Sequence, residues 1–340
     1  MTSPSPLQGG SRRRRYRKRH LWRRRFRALL TVLIPVAGVA AAWFLLADNG
    51  ATVGNGHASQ ASLAPVTTEP PPAAAPAPPG NPYAVSLERP DTMPFQFKHP
   101  PSAAMVFDVK TGRVLWRRNP LEILPIASIT KLMTALLVVQ HTSPGDEALI
   151  TPDALHYTGS GVGLLPRGKH VTVKALLYGL LLPSGNDAAI ALADHVAHTQ
   201  PRFVAMMNAK ARQLGLRCTH YVSPHGLEAG NRSCPDDLAA LARMDLHYSR
   251  ISTIVGSAHA IVHFPIKGGK LYLNNTNPLL RMGYPGTIGL KTGDTDEAGH
   301  CLIAIVRRGP ITLGVVLLHS PNPQEQARAL LNRAFRVYRG

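Results

Sequence analysis

The chain has 340 residues, a net charge of +19 and three cysteines. The length is ample for a sizeable core. The charge is local: Arg12 to Arg27 holds ten Arg and one Lys, leaving 27 basic residues against 19 acidic ones elsewhere. That balance argues against nucleic acid as the partner of the bulk of the chain, and the sequence has no Gly-rich phosphate loop and no internal repeat.

In chain order, residues 1–27 read as a cytoplasmic basic segment. Ala28 to Ala47 is apolar and uncharged, long enough to cross a bilayer as a helix; Pro35 and Gly38 are tolerated in such helices. The preceding arginines set a positive-inside orientation, with everything after Asp48 outside the cell membrane. A single-pass, uncleaved anchor is the favoured reading. The alternative is a signal peptide cleaved near Ala40-Ala41-Ala42, which would release a secreted protein. Residues 48–98 are mostly Pro, Ala, Gly, Ser and Thr. Such a stretch cannot bury enough apolar surface to fold and reads as a disordered, polyproline-like linker. Its last part, Tyr83 to Lys98, stays open as a stretch that packs on the domain.

The folded domain is expected over 99–340. Ala103 to Val109 and Arg113 to Arg118 read as strands joined by a turn at Lys110-Thr111-Gly112. An apolar helix follows, carrying Ser128 and running to about Gln140. Further helices are expected over Val171 to Leu182, from Asp187, over Pro201 to Leu214 and from Cys234. Asp236 and Asp237 fall in the first turn of the last, where the helix dipole favours them. Strands dominate beyond: the run before Lys291, then Cys301 to Val306 and Thr312 to Leu318, with a turn at Arg307-Arg308-Gly309-Pro310. Glu325 to Phe335 closes the chain as a helix. The pattern is α+β, a mixed sheet with helices on its faces.

Ser128 and Lys131 lie one helical turn apart on one face. A serine hydroxyl becomes a nucleophile when a base takes its proton, and an amine does so only when neutral. Burial and a second cation both favour the neutral amine. Ser184-Gly185-Asn186 sits between two apolar helices, where a plain helix cap is the alternative reading. Lys291-Thr292-Gly293 ends a strand; its second copy at Lys110 is a hairpin turn.

Taken in this order, the three motifs are the signature of penicillin-binding proteins and class A β-lactamases. The phrases Pro125 to Thr134, Leu180 to Ala189, Ser223 to Leu227 and Gly289 to Gly293 narrow the match. Over about Ala103 to Val316 the chain resembles the D-alanyl-D-alanine carboxypeptidases, the low-molecular-weight penicillin-binding proteins. The resemblance implies a β-lactamase/transpeptidase-like fold, a mostly antiparallel sheet with helices on both faces and a helical subdomain. It implies a serine-type hydrolase that trims peptidoglycan stem peptides and is acylated by β-lactams. Ser128 would be the nucleophile, Lys131 its base and Ser184 a proton relay. Asn186 would hold Lys131 and the substrate peptide. Lys291 and Thr292 would bind the terminal carboxylate, with Gly293 leaving room for the substrate backbone. The N–H groups of Ser128 and Asp294 would form the oxyanion hole. No cofactor and no metal are implied.

Asp294 departs from the aromatic residue or His usual after this motif, and a carboxylate there should weaken binding of an anionic substrate end. The β-lactamase alternative needs a Glu to activate the deacylating water; Glu228-Ala229-Gly230-Asn231 is the nearest phrase and lacks the Leu. An inert penicillin-binding protein is the other alternative. Cys218 and Cys234 read as a disulfide from compartment and spacing, and Cys301 as a buried free thiol. His225 reads as a loop residue. His259 and His263 fall on a strand, where their spacing separates the rings too far for a shared metal.

Overall fold

The computed structural model describes residues 80–339. The basic segment, the candidate anchor 28–47 and the linker up to residue 79 lie outside the described residues. Among the described residues no helix is long and apolar enough to cross a membrane.

Strands β1 (Ala103–Asp108) and β2 (Val114–Arg118) open the domain. Between them Asp108 accepts from the backbone N–H and the hydroxyl of Thr111 at 2.7 and 2.9 Å, so Lys110-Thr111-Gly112 is a hairpin turn. Strand β3 (Leu124–Pro125) leads into a 3-10 turn over Ala127–Thr130 and then helix α1 (Lys131–His141). Then come β4 (Glu147–Leu149), α2 (Pro152–Leu155), β5 (His170–Thr172), α3 (Val173–Leu181), α4 (Asn186–Ala197) and α5 (Gln200–Gln213). Strand β6 (Arg232–Ser233), α6 (Pro235–His247) and α7 (Ser249–Val255) complete the helical part. A hairpin of β7 (His259–His263) and β8 (Lys270–Asn274), the short α8 (Pro278–Arg281), β9 (Thr287–Thr295), β10 (Gly299–Arg308), β11 (Ile311–Ser320) and α9 (Pro323–Arg339) end the chain.

Helix α3 starts later than the sequence predicts. Val171 and Thr172 pair with Ala148 and Glu147 in the β4–β5 ladder, and the Thr172 hydroxyl accepts from Ala175 N–H as the cap. Thr199 caps α5 in the same way, so this helix starts at Gln200, one residue ahead of the expected Pro201.

The main sheet has the order β2-β1-β11-β10-β9. All four pairings are antiparallel, in line with the mostly antiparallel sheet that the resemblance implies and not with the mixed sheet read from element order. The last strands form a meander, and β11 returns to pair with β1, so no parallel crossover is needed. Alternate residues supply two cores. Met105, Phe107, Ile303 and Val316 face the helical part. Val106, Leu302, Val315 and Leu317 pack under Leu330, Leu331 and Phe335 of α9. Leu132, Met133, Leu136 and Leu137 of α1 are fully buried; a helix apolar on all sides belongs in the middle of a domain.

The chain before Pro101 lies on the domain rather than running free. Met93 is fully buried, the Thr92 and Met93 N–H groups donate to Leu115 O, and Trp116 Nε1 donates to Phe95 O at 3.1 Å. The Met and Phe residues supply the apolar surface that the Pro/Ala stretch lacks.

Candidate active site

The site forms where α1, the loop before α4, the 223–231 loop and β9 meet. Ser128 sits on the 3-10 turn rather than on α1 itself, half-exposed between the buried Ala127 and Ile129. Ala127 before it has φ +46°. This turn lifts one hydroxyl out of an otherwise buried segment.

Lys131, the first residue of α1, is fully buried. Its Nζ lies 2.9 Å from Ser128 Oγ, 2.7 Å from Asn186 Oδ1 and 2.7 Å from the His225 carbonyl oxygen. Two of these neighbours can only accept. A neutral amine has two N–H donors and one lone pair, so donating to both carbonyls leaves the lone pair for the Ser128 hydroxyl. Burial drives the Lys131 pKa well below that of an ordinary lysine, the Lys291 ammonium adds to the shift, and Asp187 and Glu228 oppose it. Burial is thus the larger cause and the second cation the smaller one.

Asn186, at the start of α4, donates from Nδ2 to Thr158 O at 2.6 Å, which orients its Oδ1 toward Lys131. Ser184 adopts φ +68°, a left-handed conformation that is costly for a non-glycine residue and is held here by the surrounding contacts. Its hydroxyl accepts from Lys291 Nζ at 3.0 Å. Lys291 is also buried, and burial lowers its pKa to about 7. Thr292 is half-buried on β9, its Oγ1 2.6 Å from that of Thr276.

Gly293 has a structural reason beside the expected one. A Cβ there would lie 2.7 Å from Ile126 O and 3.2 Å from the Ser128 amide nitrogen. The glycine lets β9 press against the 3-10 turn, which brings the Ser128 N–H beside the strand. Gly226, with φ +87°, makes a second close approach, its missing Cβ overlapping Ala127 O. Asp294 is exposed and paired across the ladder with His300, 3.0 Å away.

Sequence reading missed the residues that hold these loops. Asp187, fully buried, accepts from the N–H groups of Val162 and Gly163 at 2.9 Å each, clamping the loop that carries Thr158. Asn231, fully buried, accepts from Val222 and Ser223 N–H and donates to Ser223 Oγ at 3.0 Å. Ser223 donates to Glu228. These contacts shape the turn that presents His225 O to Lys131. Their only signal in sequence is nearness to those phrases: Asp187 directly follows Ser-Gly-Asn, and Asn231 lies four residues beyond Ser-Pro-His-Gly-Leu. Burial lowers the His225 pKa to about 4, so its ring is neutral, and it serves the site through its backbone.

Cys218 and Cys234 form a disulfide, and Cys301 is a buried free thiol, its pKa raised by burial to about 11. Asp237 of α6 accepts from Cys218 N–H at 2.7 Å. Among the described residues, Cys218, Cys234 and Asp237 are one group whose metal-ligating atoms lie within 4.8 Å of one another, but the disulfide occupies both sulfurs.

A family model described as D-alanyl-D-alanine carboxypeptidase, peptidase family S11, matches residues 91–322. The chain belongs to this family. It is 35% identical over 252 residues to the D-alanyl-D-alanine carboxypeptidase DacF of Bacillus subtilis, covering 72% of this chain and 64% of that protein. A D-alanyl-D-alanine endopeptidase of Pseudomonas aeruginosa is 37% identical, with 66% and 73% covered. The crystal structure of a Streptomyces DD-transpeptidase superposes with a TM-score of 0.67 at 31% identity, covering 72% of this chain and all of that one. A D-alanyl-D-alanine carboxypeptidase of Mycobacterium tuberculosis superposes with a TM-score of 0.66 at 30% identity, covering 72% and 93%. The α+β architecture is that of the DD-peptidases. The family's three motifs stand here as Ser128 to Lys131, Ser184 to Asn186 and Lys291 to Gly293, converging from α1, the α3–α4 loop and β9.

Proposed function

We propose that the chain is a serine-type carboxypeptidase that removes the terminal D-alanine from peptidoglycan stem peptides. The carrying observation is the wholly buried Lys131 amine, 2.9 Å from Ser128 Oγ, with carbonyl oxygens as its other two polar neighbours.

Neutral Lys131 takes the hydroxyl proton as Ser128 Oγ attacks the carbonyl between the two D-alanines. The N–H groups of Ser128 and Asp294 receive the developing negative charge, each donor contributing about 3 kcal/mol. The close approach at Gly293 supports this pairing, because it sets Ser128 N–H beside β9. The Ser184 hydroxyl, held by Lys291, passes a proton to the departing D-alanine amine. Lys291 and Thr292 receive the terminal carboxylate that distinguishes this substrate from an internal peptide bond. The substrate lies as an added strand on the open edge of β9. Water then attacks the acyl-enzyme, returning the acyl group as a carboxylate and the proton to Ser128. A β-lactam presents a similar strained carbonyl and acylates the same oxygen.

Ala28 to Ala47, behind its arginines, supports a membrane anchor that holds the domain outside the cell. Glu228 is engaged by Ser223 and Asn231 within its own loop, so the β-lactamase reading gains nothing from it. The test is fluorescent-penicillin labelling of wild type and Ser128→Ala, coupled to an assay of released D-alanine. Labelling and release by wild type, both absent in Ser128→Ala, are expected. Labelling that survives the substitution would reject Ser128 as nucleophile.

A further inference from the structure

The β7–β8 hairpin lies outside the catalytic constellation, yet begins at its rim. Its register pairs His259 with Asn274, Ile261 with Tyr272 and His263 with Lys270. All six side chains face outward, while Val262, Leu271 and Leu273 are buried beneath. Tyr272 is 69% exposed and Ile261 59%. An aromatic ring and an aliphatic side chain paired in the open on one ladder form an apolar platform with polar pairs at both ends. A hairpin needing only its inner face for packing gains nothing from them.

The platform is continuous with the site. Two residues beyond β8, Thr276 Oγ1 meets Thr292 Oγ1 at 2.6 Å, and Thr276 N–H donates to Leu182 O. Asn275 fixes the strand end by donating from Nδ2 to Val255 O and Ser257 O at 3.1 and 3.0 Å. The face then runs from Asn274 to Lys270, four residues and about 13 Å away from the site. Charge favours an anionic partner: no Asp or Glu occurs between Asp245 and Asp294, whereas this face carries the Lys270 ammonium, with His259 and His263 as further hydrogen-bonding groups.

We propose that the outer face of this hairpin binds the glycan strand to which the stem peptide is attached. The inference rests on the carboxypeptidase reading of the adjoining site. The amino-sugar rings offer flat C–H faces to Tyr272 and Ile261. Their acetamido groups and the carboxylates of neighbouring stem peptides meet Asn274, His259, His263 and Lys270. The enzyme then works on polymer-borne ends in preference to free peptides.

The experiment compares D-alanine release by the full chain from a short acyl-D-Ala-D-Ala peptide and from uncross-linked glycan strands carrying pentapeptides. Tyr272→Ala and Ile261→Ser/Tyr272→Ala should raise KM on the polymer about three- to tenfold. They should leave the short-peptide KM and kcat and the penicillin acylation rate unchanged. Tyr272→Phe, which keeps the ring, should behave as wild type. Equal losses on both substrates, or no loss on the polymer, would overturn the proposal. So would binding of wild type to vesicles of anionic phospholipid that Tyr272→Ala abolishes, since the face would then be a membrane contact. Co-sedimentation of Ser128→Ala with glycan strands, weakened by Tyr272→Ala, tests the surface without turnover. It therefore separates failure of this proposal from failure of the carboxypeptidase reading.

Discussion

Two buried lysines define the chemistry at the scale of single residues, and their protonation has opposite requirements. On the proposed mechanism Lys131 must be neutral to accept the Ser128 proton, whereas Lys291 must be charged to hold a carboxylate. Lys291, with its pKa lowered to about 7 by burial, is cationic below that pH and loses charge above it. For a D-Ala-D-Ala peptide, kcat/KM should therefore fall on the alkaline side with a midpoint near 7, most of the change lying in KM. Lys291→Arg keeps its charge and should move that limb to higher pH; a wild-type profile flat to pH 9 would reject the assignment. Stability follows the same linkage. The folded pKa lies below the ordinary 10.5, so the unfolded chain binds more protons between about 7 and 10.5 and stability rises with pH across that window.

Asp294 is a second residue-scale determinant. Its carboxylate, beside the site of an anionic substrate end, lies 3.0 Å from His300 Nδ1, whose N–H can engage it. Asp294→Asn should raise kcat/KM and His300→Gln should lower it, each by about two- to fivefold for an exposed pair. An unchanged or lower rate for Asp294→Asn would reject a penalty from this carboxylate.

At the scale of elements, the 3-10 turn, the 223–231 loop and β9 are pressed together at Gly226 and Gly293. The Cys218–Cys234 bond closes the loop that contains Ser223, His225, Glu228 and Asn231, with a sequence separation of 16. On the loop-entropy model it stabilises the domain by about 3 kcal/mol. Cys218→Ser/Cys234→Ser should lower the thermal midpoint and slow acylation by penicillin, because His225 O is one of the two carbonyls that orient Lys131. A thiol count on unfolded, unreduced wild type should return one. Three thiols, or a double variant with wild-type stability and acylation, would exclude this role.

Over the whole molecule, the sheet is completed by both ends of the domain, and the chain from Asn81 onward belongs to it. A chain beginning at Gly80 should acylate with penicillin at the rate of the full chain. One beginning at Pro101 loses the fully buried Met93 and the Phe95–Trp116 contact. By analogy with large-to-small core substitutions it should be less stable by about 2–5 kcal/mol, measured by denaturant unfolding. Equal stability of the two would show that the 81–98 segment only rests on the surface.

The sequence by itself singled out the positions on which the proposed chemistry rests. Ser128 and Lys131, Ser184 and Asn186, and Lys291 and Thr292 sit in short phrases where local spacing and residue type carry the information, and the alternating and apolar runs marked most of the long elements. It also showed that a carboxylate stands at position 294. Only the tertiary structure decided that burial outweighs Lys291 in lowering the Lys131 pKa, that Gly293 lets β9 approach the turn carrying Ser128, and that His300 faces Asp294. The roles of Asp187 and Asn231, the antiparallel closure of β11 on β1 and the packing of Met93 were also beyond local reading. Each depends on groups far apart in the chain meeting in a low-dielectric interior. Desolvation and long-range pairing are properties of that meeting and leave no periodic trace in the residues that take part.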